Sequence, residues 1–249
     1  MHQPFIYRLL GPYLVGLLPL PEPVGFRIAS TLATLALAAL FYLFLGNQGI
    51  SPILASASTI LLLTNRSLLG YGVWNFFQLN DALTLLYLVG LFWLLRRKSW
   101  AWFGGLLLLG ALTRETALLM IPVAAITLLQ ERATRPDWIS LALAAAPGVA
   151  CFALVRLLVE PAGGMGLREA LRFHSAKLLA GETWLRLLLT PFMPLTFVPL
   201  IFWRASLAFF RQRRWHLLAF VLLVYASALF GQNNERLVAP VFIVYYWPV

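Results

Sequence analysis

The stretch 35–41 reads Leu-Ala-Leu-Ala-Ala-Leu-Phe, an unbroken apolar run inside a longer apolar segment over 26–45. Similar runs recur along the whole chain of 249 residues and are separated by short polar segments. A transmembrane β-barrel would instead show alternating residues in strands of roughly ten residues. Because helices satisfy their own backbone hydrogen bonds in lipid, the pattern predicts an all-α, polytopic transmembrane helical bundle.

The composition supports the same class. Hydrophobic residues make up 61% of the chain and charged residues 11%, and the mean hydropathy is +0.83, which excludes a water-soluble globule. The formal net charge is +10. Most cations lie in the short segments between apolar runs, where they set membrane orientation, so the sequence predicts a membrane partner and no nucleic acid.

We predict one membrane domain over 1–249 with about nine spans or part-spans. Several contain about 15 residues, which as a helix cover only about 22 Å of a hydrocarbon layer about 30 Å thick. Such helices need flanking residues or neighbouring helices around them. The predicted spans are 26–45, 50–64, 82–95, 99–113, 116–130, 138–159, 183–203, 215–230 and 237–249.

The charges between the spans predict an orientation. If successive loops alternate sides, one side receives the basic segments 96–98, 132–135 and 204–214, which marks it as cytoplasmic. The other side receives seven of the nine acids. We therefore expect a multi-pass protein of a bacterial or archaeal cytoplasmic membrane. Its outer elements are an amphipathic segment over 1–25, juxtamembrane helices and loops at 65–81 and 160–182.

Asp81 is the first candidate for chemistry, because the sequence Asn-Asp-Ala-Leu over 80–83 stands at the outer mouth of a span. A carboxylate in that position can simply cap the helix N-terminus. Alternatively it faces an outer cavity, where it could act as a base, orient one or hold a divalent cation. Position alone leaves both hypotheses open.

Two further polar clusters are predicted on the same side. Arg114 and Glu115 form the centre of a polar tetrad between two apolar runs, and an ionisable pair there is either functional or a mutual ion pair between two half-helices. Glu235 and Arg236 close the segment 232–236, which could also be a solvated turn. If all three clusters converge on the outer face, they form one site for a phosphate and carboxylates.

The remaining candidates carry weaker signals. Arg8, in the outer amphipathic segment, is a further candidate for substrate binding, and so is His174 in the outer loop helix, although a lone histidine there is more typical of a surface residue. The sequence contains no Cys/His cluster, Walker loop, nucleophile elbow or HExxH motif, so we predict no protein metal centre. A divalent cation as cofactor stays open.

The order of these motifs resembles the type-C glycosyltransferase superfamily, which includes protein O-mannosyltransferases and aminoarabinose transferases. Members typically carry Asp-Ala-Leu at the mouth of a span, a basic inner turn, and then a Gly-Leu run ending in Leu-Thr-(Lys/Arg) before (Ser/Thr)-Ala. Matching segments are 4–12, which is similar to the family's juxtamembrane helix, 80–98, 104–118, and 235–240, which is similar to its later (Asp/Glu)-Arg-x-x-x-Pro element.

The resemblance implies transfer of a sugar from a polyprenyl-phosphate carrier to a lipid or protein hydroxyl on the outer face, with inversion. It implies that Asp81 orients the acceptor or a metal, that Arg114 and Arg236 bind phosphate, and that Glu115 and Glu235 fix the two arginines. The family's usual base lies in the first outer loop, directly after a first span. This sequence departs from that pattern, since it starts within the loop and has no acid before Glu22. We therefore expect the DNA upstream of Met1 to encode one more span followed by an acid.

A second hypothesis comes from another functional class. A non-catalytic membrane protein on the same scaffold, such as a carrier-lipid-binding, flippase-like or assembly protein, would keep the basic pocket and need no base. A transporter with two related halves is not favoured, because the sequence shows no internal symmetry.

Overall fold

The computed structural model describes residues 9–65, 79–158, 180–189, 192, 195–211, 214–229 and 238–246. All regular structure in these residues is helical. Short 3₁₀ helices cover Glu115–Leu119, Leu195–Phe197 and Ala239–Val241. The α-helices are α1 (Leu10–Gly16), α2 (Glu22–Asn47), α3 (Pro52–Thr64), α4 (Leu79–Arg96), α5 (Trp100–Thr113), α6 (Met120–Gln130), α7 (Arg135–Leu158), α8 (Gly181–Leu189), α9 (Val198–Ile201), α10 (Trp203–Arg211), α11 (Trp215–Leu229) and α12 (Phe242–Tyr245).

Three helices are long and apolar enough to cross a membrane. They are α2 with 26 residues, α4 with 18 and α7 with 24. Helices α3, α5, α6 and α11 are apolar but shorter. The prediction of a helical membrane protein is thereby supported, whereas the predicted nine spans or part-spans are not confirmed.

One predicted span differs clearly from the structure. Residues 183–203 do not form one helix, because α8 ends at Leu189 and the chain continues through a 3₁₀ turn into the short helices α9 and α10. The sequence there contains Pro191, Pro194 and Pro199. A proline cannot donate the backbone hydrogen bond that a continuous helix needs, so three prolines within nine positions disfavour one continuous helix over this segment.

Helix α4 lies at the centre of the bundle. It packs against α2 and α5, and α5 packs in turn against α7. In the most apolar part of each long helix, 61% of residues are buried for α4, 33% for α2 and 22% for α7. Helices α2 and α7 therefore turn most of their apolar surface outwards. Leu32 and Leu35 on α2 and Leu143 and Leu157 on α7 are exposed, which is unfavourable in water and neutral in lipid.

Gly104 lies at the contact between α5 and α7. A methyl group added at Gly104 would lie 2.8 Å from the carbonyl oxygen of Ala144. Small residues allow such close approach of helix backbones in membrane proteins, where packing replaces the hydrophobic effect as the source of stability. Gly105, the next residue, has open space around the corresponding position.

Three helices end in the same way at one end of the bundle. Gly49, Lys98 and Arg132 follow α2, α4 and α6 with φ angles of 80°, 50° and 52°. After α4, the Ser99 N–H donates to the carbonyl oxygen of Leu94 at 3.1 Å. This is the Schellman arrangement, in which a left-handed residue closes the helix. We call this end, with Lys98 and Arg132, the basic end.

Candidate functional site

Arg114 stands at a break in the backbone at the opposite end of the bundle. Helix α5 ends at Thr113, a 3₁₀ helix begins at Glu115, and Arg114 between them is extended, with φ −166° and ψ 137°. Its N–H still closes the last turn of α5 by donating to Gly110 at 2.7 Å. The break turns the Arg114 side chain out of the helix direction and towards α4.

Asp81 receives that side chain. It lies in the first turn of α4, and its Oδ1 accepts a hydrogen bond from Nη1 of Arg114 at 2.9 Å. The two side chains are 14% and 4% exposed. Two candidates that are 33 positions apart in the sequence are therefore in direct contact. We call the end that contains this pair the carboxylate end.

The hydrogen bond to Asp81 does not use every N–H group of the Arg114 guanidinium. Nε of Arg114 is buried and has no hydrogen-bond partner among the residues that the structure describes. A buried cation away from water is stabilised by its counter-ion and by hydrogen bonds to its remaining N–H groups. The unpaired donor could bind an oxygen of a phosphate or another acceptor that enters the site.

Helix α1 packs over this end. Gly11 lies against the side-chain oxygen of Asn80, so a methyl group added at Gly11 would displace the Asn80 side chain. The Leu9 N–H donates to the carbonyl oxygen of Leu112 at 3.0 Å, which satisfies one of the free carbonyl groups in the last turn of α5. The side-chain oxygen of Asn80 is itself buried and accepts no hydrogen bond from the part of the chain that the structure describes. Near Asp81, the Asn80 side-chain oxygen is therefore an acceptor, and Nε of Arg114 a donor, that none of the described residues uses.

Glu115 is half-buried at the start of the 3₁₀ helix. Among the described residues Glu115 forms no ion pair. Asp81, and not the neighbouring Glu115, is the carboxylate that pairs with Arg114. The other candidates, Arg8, His174, Glu235 and Arg236, lie outside the described residues. Their roles stay predictions.

The described residues do not fit a divalent cation at Asp81. No group of three or more His, Cys, Asp or Glu side chains in this part of the chain could hold a metal ion. The Asp81 carboxylate also has a guanidinium 2.9 Å away, and a metal ion would be repelled by that charge.

A large apolar cavity of about 710 Å³ extends along one side of the bundle. Its walls include Leu54 and Leu61 on α3, Phe202 near α10 and Tyr225 on α11. Leu54 and Phe202 are about half exposed, so the cavity is open at its edge. It extends to Tyr246, whose hydroxyl accepts a hydrogen bond from Asn65 at 2.6 Å.

Sequence reasoning missed two asparagines that the structure singles out. Asn80 enters the sequence motifs only as the neighbour of Asp81, and Asn65 belongs to none of them. The available signal was a polar amide at the end of an apolar run, where side chains meet other helix ends.

Comparison with protein-family models, curated proteins and solved structures finds no match for this chain.

Proposed function

We propose that this protein is a membrane glycosyltransferase that moves a sugar from a polyprenyl-phosphate carrier to a lipid or protein acceptor. The observation that carries the proposal is the contact between Asp81 and Arg114 at 2.9 Å, in the almost enclosed carboxylate end. A carboxylate and an arginine are the two groups that such a transfer requires, the first for the acceptor hydroxyl and the second for the departing phosphate.

The chemistry assigns each group a task. The acceptor oxygen attacks the anomeric carbon of the sugar from the face opposite the phosphate, the carbon–oxygen bond to the phosphate breaks, and its electron pair stays on the polyprenyl phosphate. The acceptor proton moves to a carboxylate. In this proposal Asp81 orients the acceptor, and Arg114, with its unused Nε–H, binds the phosphate together with Arg236. Glu235 holds Arg236, and Arg8 and His174 contact the substrate.

The apolar cavity supports a lipid-linked donor. A polyprenyl chain is a long hydrocarbon, and a cavity of about 710 Å³ with an open edge and mostly apolar walls can take several of its isoprene units. Because the cavity lies beside α3 and α11 and is open at its edge, the rest of the polyprenyl chain would stay in the surrounding lipid.

The proposal includes the location and orientation of the bundle. The protein crosses the cytoplasmic membrane several times, with the basic end inside and the carboxylate end outside. Cysteine at Lys98 should resist a membrane-impermeant thiol reagent in intact cells, and cysteine at Leu17 should react, once Cys151 has been replaced. The opposite labelling pattern would invert the orientation.

The activity is tested by comparing substitutions of two carboxylates at opposite ends of the helical bundle. Asp81→Asn should abolish sugar transfer in membranes supplied with labelled polyprenyl-phosphate sugars, whereas Asp137→Asn, at the basic end, should keep it. Both variants must be present in the membrane in wild-type amounts. Full transfer by Asp81→Asn would end the proposal.

The burial of the pair favours a second candidate function. Because Arg114 is only 4% exposed, the pair also has the properties of a structural cross-link between α4 and the end of α5. A non-catalytic protein that binds polyprenyl phosphate, as a flippase-like carrier or an assembly partner, would use the same cavity and no base. It should bind purified polyprenyl phosphate and turn over none of the glycosyl donors.

A further inference from the structure

Helix α10 (Trp203–Arg211) lies at the basic end of the bundle, where it forms part of the wall of the large apolar cavity. It is followed closely by α11, whose first turn meets the end of α6, since Nδ1 of His216 lies 3.1 Å from Oε1 of Gln130. The side of α10 that faces the bundle carries Phe209, which is buried. Phe209 lines the cavity together with Leu54 in the first turn of α3.

The surface of α10 that faces away from the bundle has an apolar side and a cationic side. Trp203 and Leu207, four positions apart, are 54% and 47% exposed. Arg204 and Arg211, seven positions apart, are both exposed. Residues with these spacings lie on one side of an α-helix, so the two arginines form a cationic strip beside the apolar one. This pattern is typical of a helix at a membrane surface, with apolar side chains in the lipid and cations at the headgroups.

Exposed tryptophans at the beginnings of three helices mark the membrane boundary at this end. Trp102 in the first turn of α5 and Trp215 at the start of α11 are 75% and 50% exposed, and Trp203 begins α10. Indole rings favour the boundary between hydrocarbon and headgroups. The guanidinium carbon of Arg204 lies 5.5 Å from the centre of the Trp203 ring. A cation of α10 is therefore held at the level where the headgroups begin.

The two arginines of α10 form no salt bridge with any residue that the structure describes. The acids described at the basic end, Glu131 and Asp137, both lie near Lys98, at 3.0 Å and 3.9 Å. Arg204 and Arg211 are therefore free of these two carboxylates and face outwards, where an external anion can reach them.

We propose that α10 binds the anionic phospholipids of the leaflet at the basic end, and that this contact holds the wall of the apolar cavity in place. Arg204 and Arg211 contact the phosphate groups, and Trp203 and Leu207 lie among the acyl chains. An acidic protein segment would match the two cations, but it would leave the exposed apolar strip in water, whereas a lipid surface matches both.

The effect on the cavity follows from the position of α10. Within the described residues this helix packs mainly against α9 and α11, its neighbours in the chain. A lipid contact on the outer side of α10 supports it where the bundle does not, while Phe209 on the inner side stays at the cavity. This role is independent of the proposed sugar transfer, because the lipid contacts lie outside the cavity.

The experiment uses the purified full chain with Cys151→Ser in lipid nanodiscs of phosphatidylcholine, without and with phosphatidylglycerol. A fluorescent label whose emission depends on polarity is attached at Leu207→Cys to report on contact with lipid. A second label at Ala205→Cys, whose position lines the cavity, reports on the wall through its quenching by acrylamide. Both leaflets of a nanodisc have the same composition, so the result does not depend on the orientation of the bundle.

With both arginines present, phosphatidylglycerol should shift the emission at Leu207→Cys to shorter wavelength and decrease the quenching at Ala205→Cys. The double variant Arg204→Gln with Arg211→Gln should lose most of both changes. Each cation near an anionic membrane surface strengthens binding about fivefold, and this variant lacks two of them.

A matched control removes the same charge elsewhere at the basic end. Arg132→Gln with Arg135→Gln changes two exposed arginines at the junction of α6 and α7. This variant should keep the full spectral shift and the full decrease in quenching, because the contacts of α10 with lipid are intact.

Three outcomes would overturn the proposal. The first is no spectral change at Leu207→Cys on addition of phosphatidylglycerol, which would leave the cations of α10 to an acidic protein partner. The second is an equal loss in the two double variants, because the effect would then come from net charge alone. The third is a shift at Leu207→Cys with unchanged quenching at Ala205→Cys, since the lipid would then not hold the cavity wall. If the α10 double variant does not fold, Arg204→Gln is compared with Arg132→Gln, and equal shifts would have the same meaning as the second outcome.

Discussion

At the carboxylate end one ion pair, Arg114 with Asp81, is almost enclosed, whereas at the basic end Lys98 bridges Glu131 and Asp137 in the open. The Arg114 and Asp81 side chains are 4% and 14% exposed, and those of Lys98 and Glu131 are 42% and 46% exposed. The distances, 2.9 Å and 3.0 Å, are nearly equal. Contact geometry alone therefore does not set the energy of an ion pair. Water screens the Lys98–Glu131 pair and hardly reaches the Arg114–Asp81 pair.

The largest expected effect comes from breaking the enclosed pair. Arg114→Met keeps most of the side-chain volume but leaves the Asp81 carboxylate buried without its cation. We expect a loss of about 3–5 kcal/mol in the free energy of unfolding. Denaturation of the purified protein in detergent micelles measures it.

Removing both partners sharpens this prediction. The double variant Asp81→Asn with Arg114→Met should be more stable than Arg114→Met alone, since no uncompensated charge remains. A double variant that is less stable than either single variant would show that the pair is not the source of the effect.

The second effect concerns the α5–α7 contact. Gly104→Leu should push α7 away from α5, because the side chain would meet the backbone of Ala144, and should cost about 1–3 kcal/mol. Gly105→Leu is the matched control, since its side chain would enter open space. Thermal unfolding of both variants in the same detergent compares them. Equal stabilities would contradict the close packing.

The third effect tests the exposed pair. Lys98→Met should cost at most about 1 kcal/mol, and the cost should fall further at high salt. The hydrogen bond to Glu131, and then the charge of Glu131, raise the pKa of Lys98 above its ordinary value of 10.5. The stabilisation is therefore complete below pH 10.5 and is lost as the pH rises through the pKa of the folded state. The difference in melting temperature between wild type and variant should shrink at that alkaline limit, and a difference that grows there would contradict the assignment.

The smallest effect comes from the end of α6. Arg132 has a φ of 52°, which costs a non-glycine residue about 1 kcal/mol. Arg132→Gly removes that strain but adds freedom to the unfolded chain, so we expect a net gain below about 0.5 kcal/mol. The melting temperature should rise slightly, and Arg132→Ala, which keeps the strain, should show no such rise.

The helical fold class and the approximate place of most helices follow from the pattern of apolar runs. Apolar runs long enough to bury a helix in lipid have few other stable structures, because every backbone group must find its partner within the segment. Asp81 and Arg114 could be picked out for the same reason, since an ionisable residue inside such a run is costly unless another group pairs with it.

Which side chains contact each other depends on how the helices pack. Local spacing offered Glu115 as the partner of Arg114, but the extended backbone at Arg114 directs its side chain to Asp81 on α4. In the same way, Leu54, Phe209 and Leu218 come from three separate helices and line one cavity only because those helices pack together. Long-range contacts of this kind depend on how helices pack and on where the backbone breaks, and hydropathy and charge along the chain record neither.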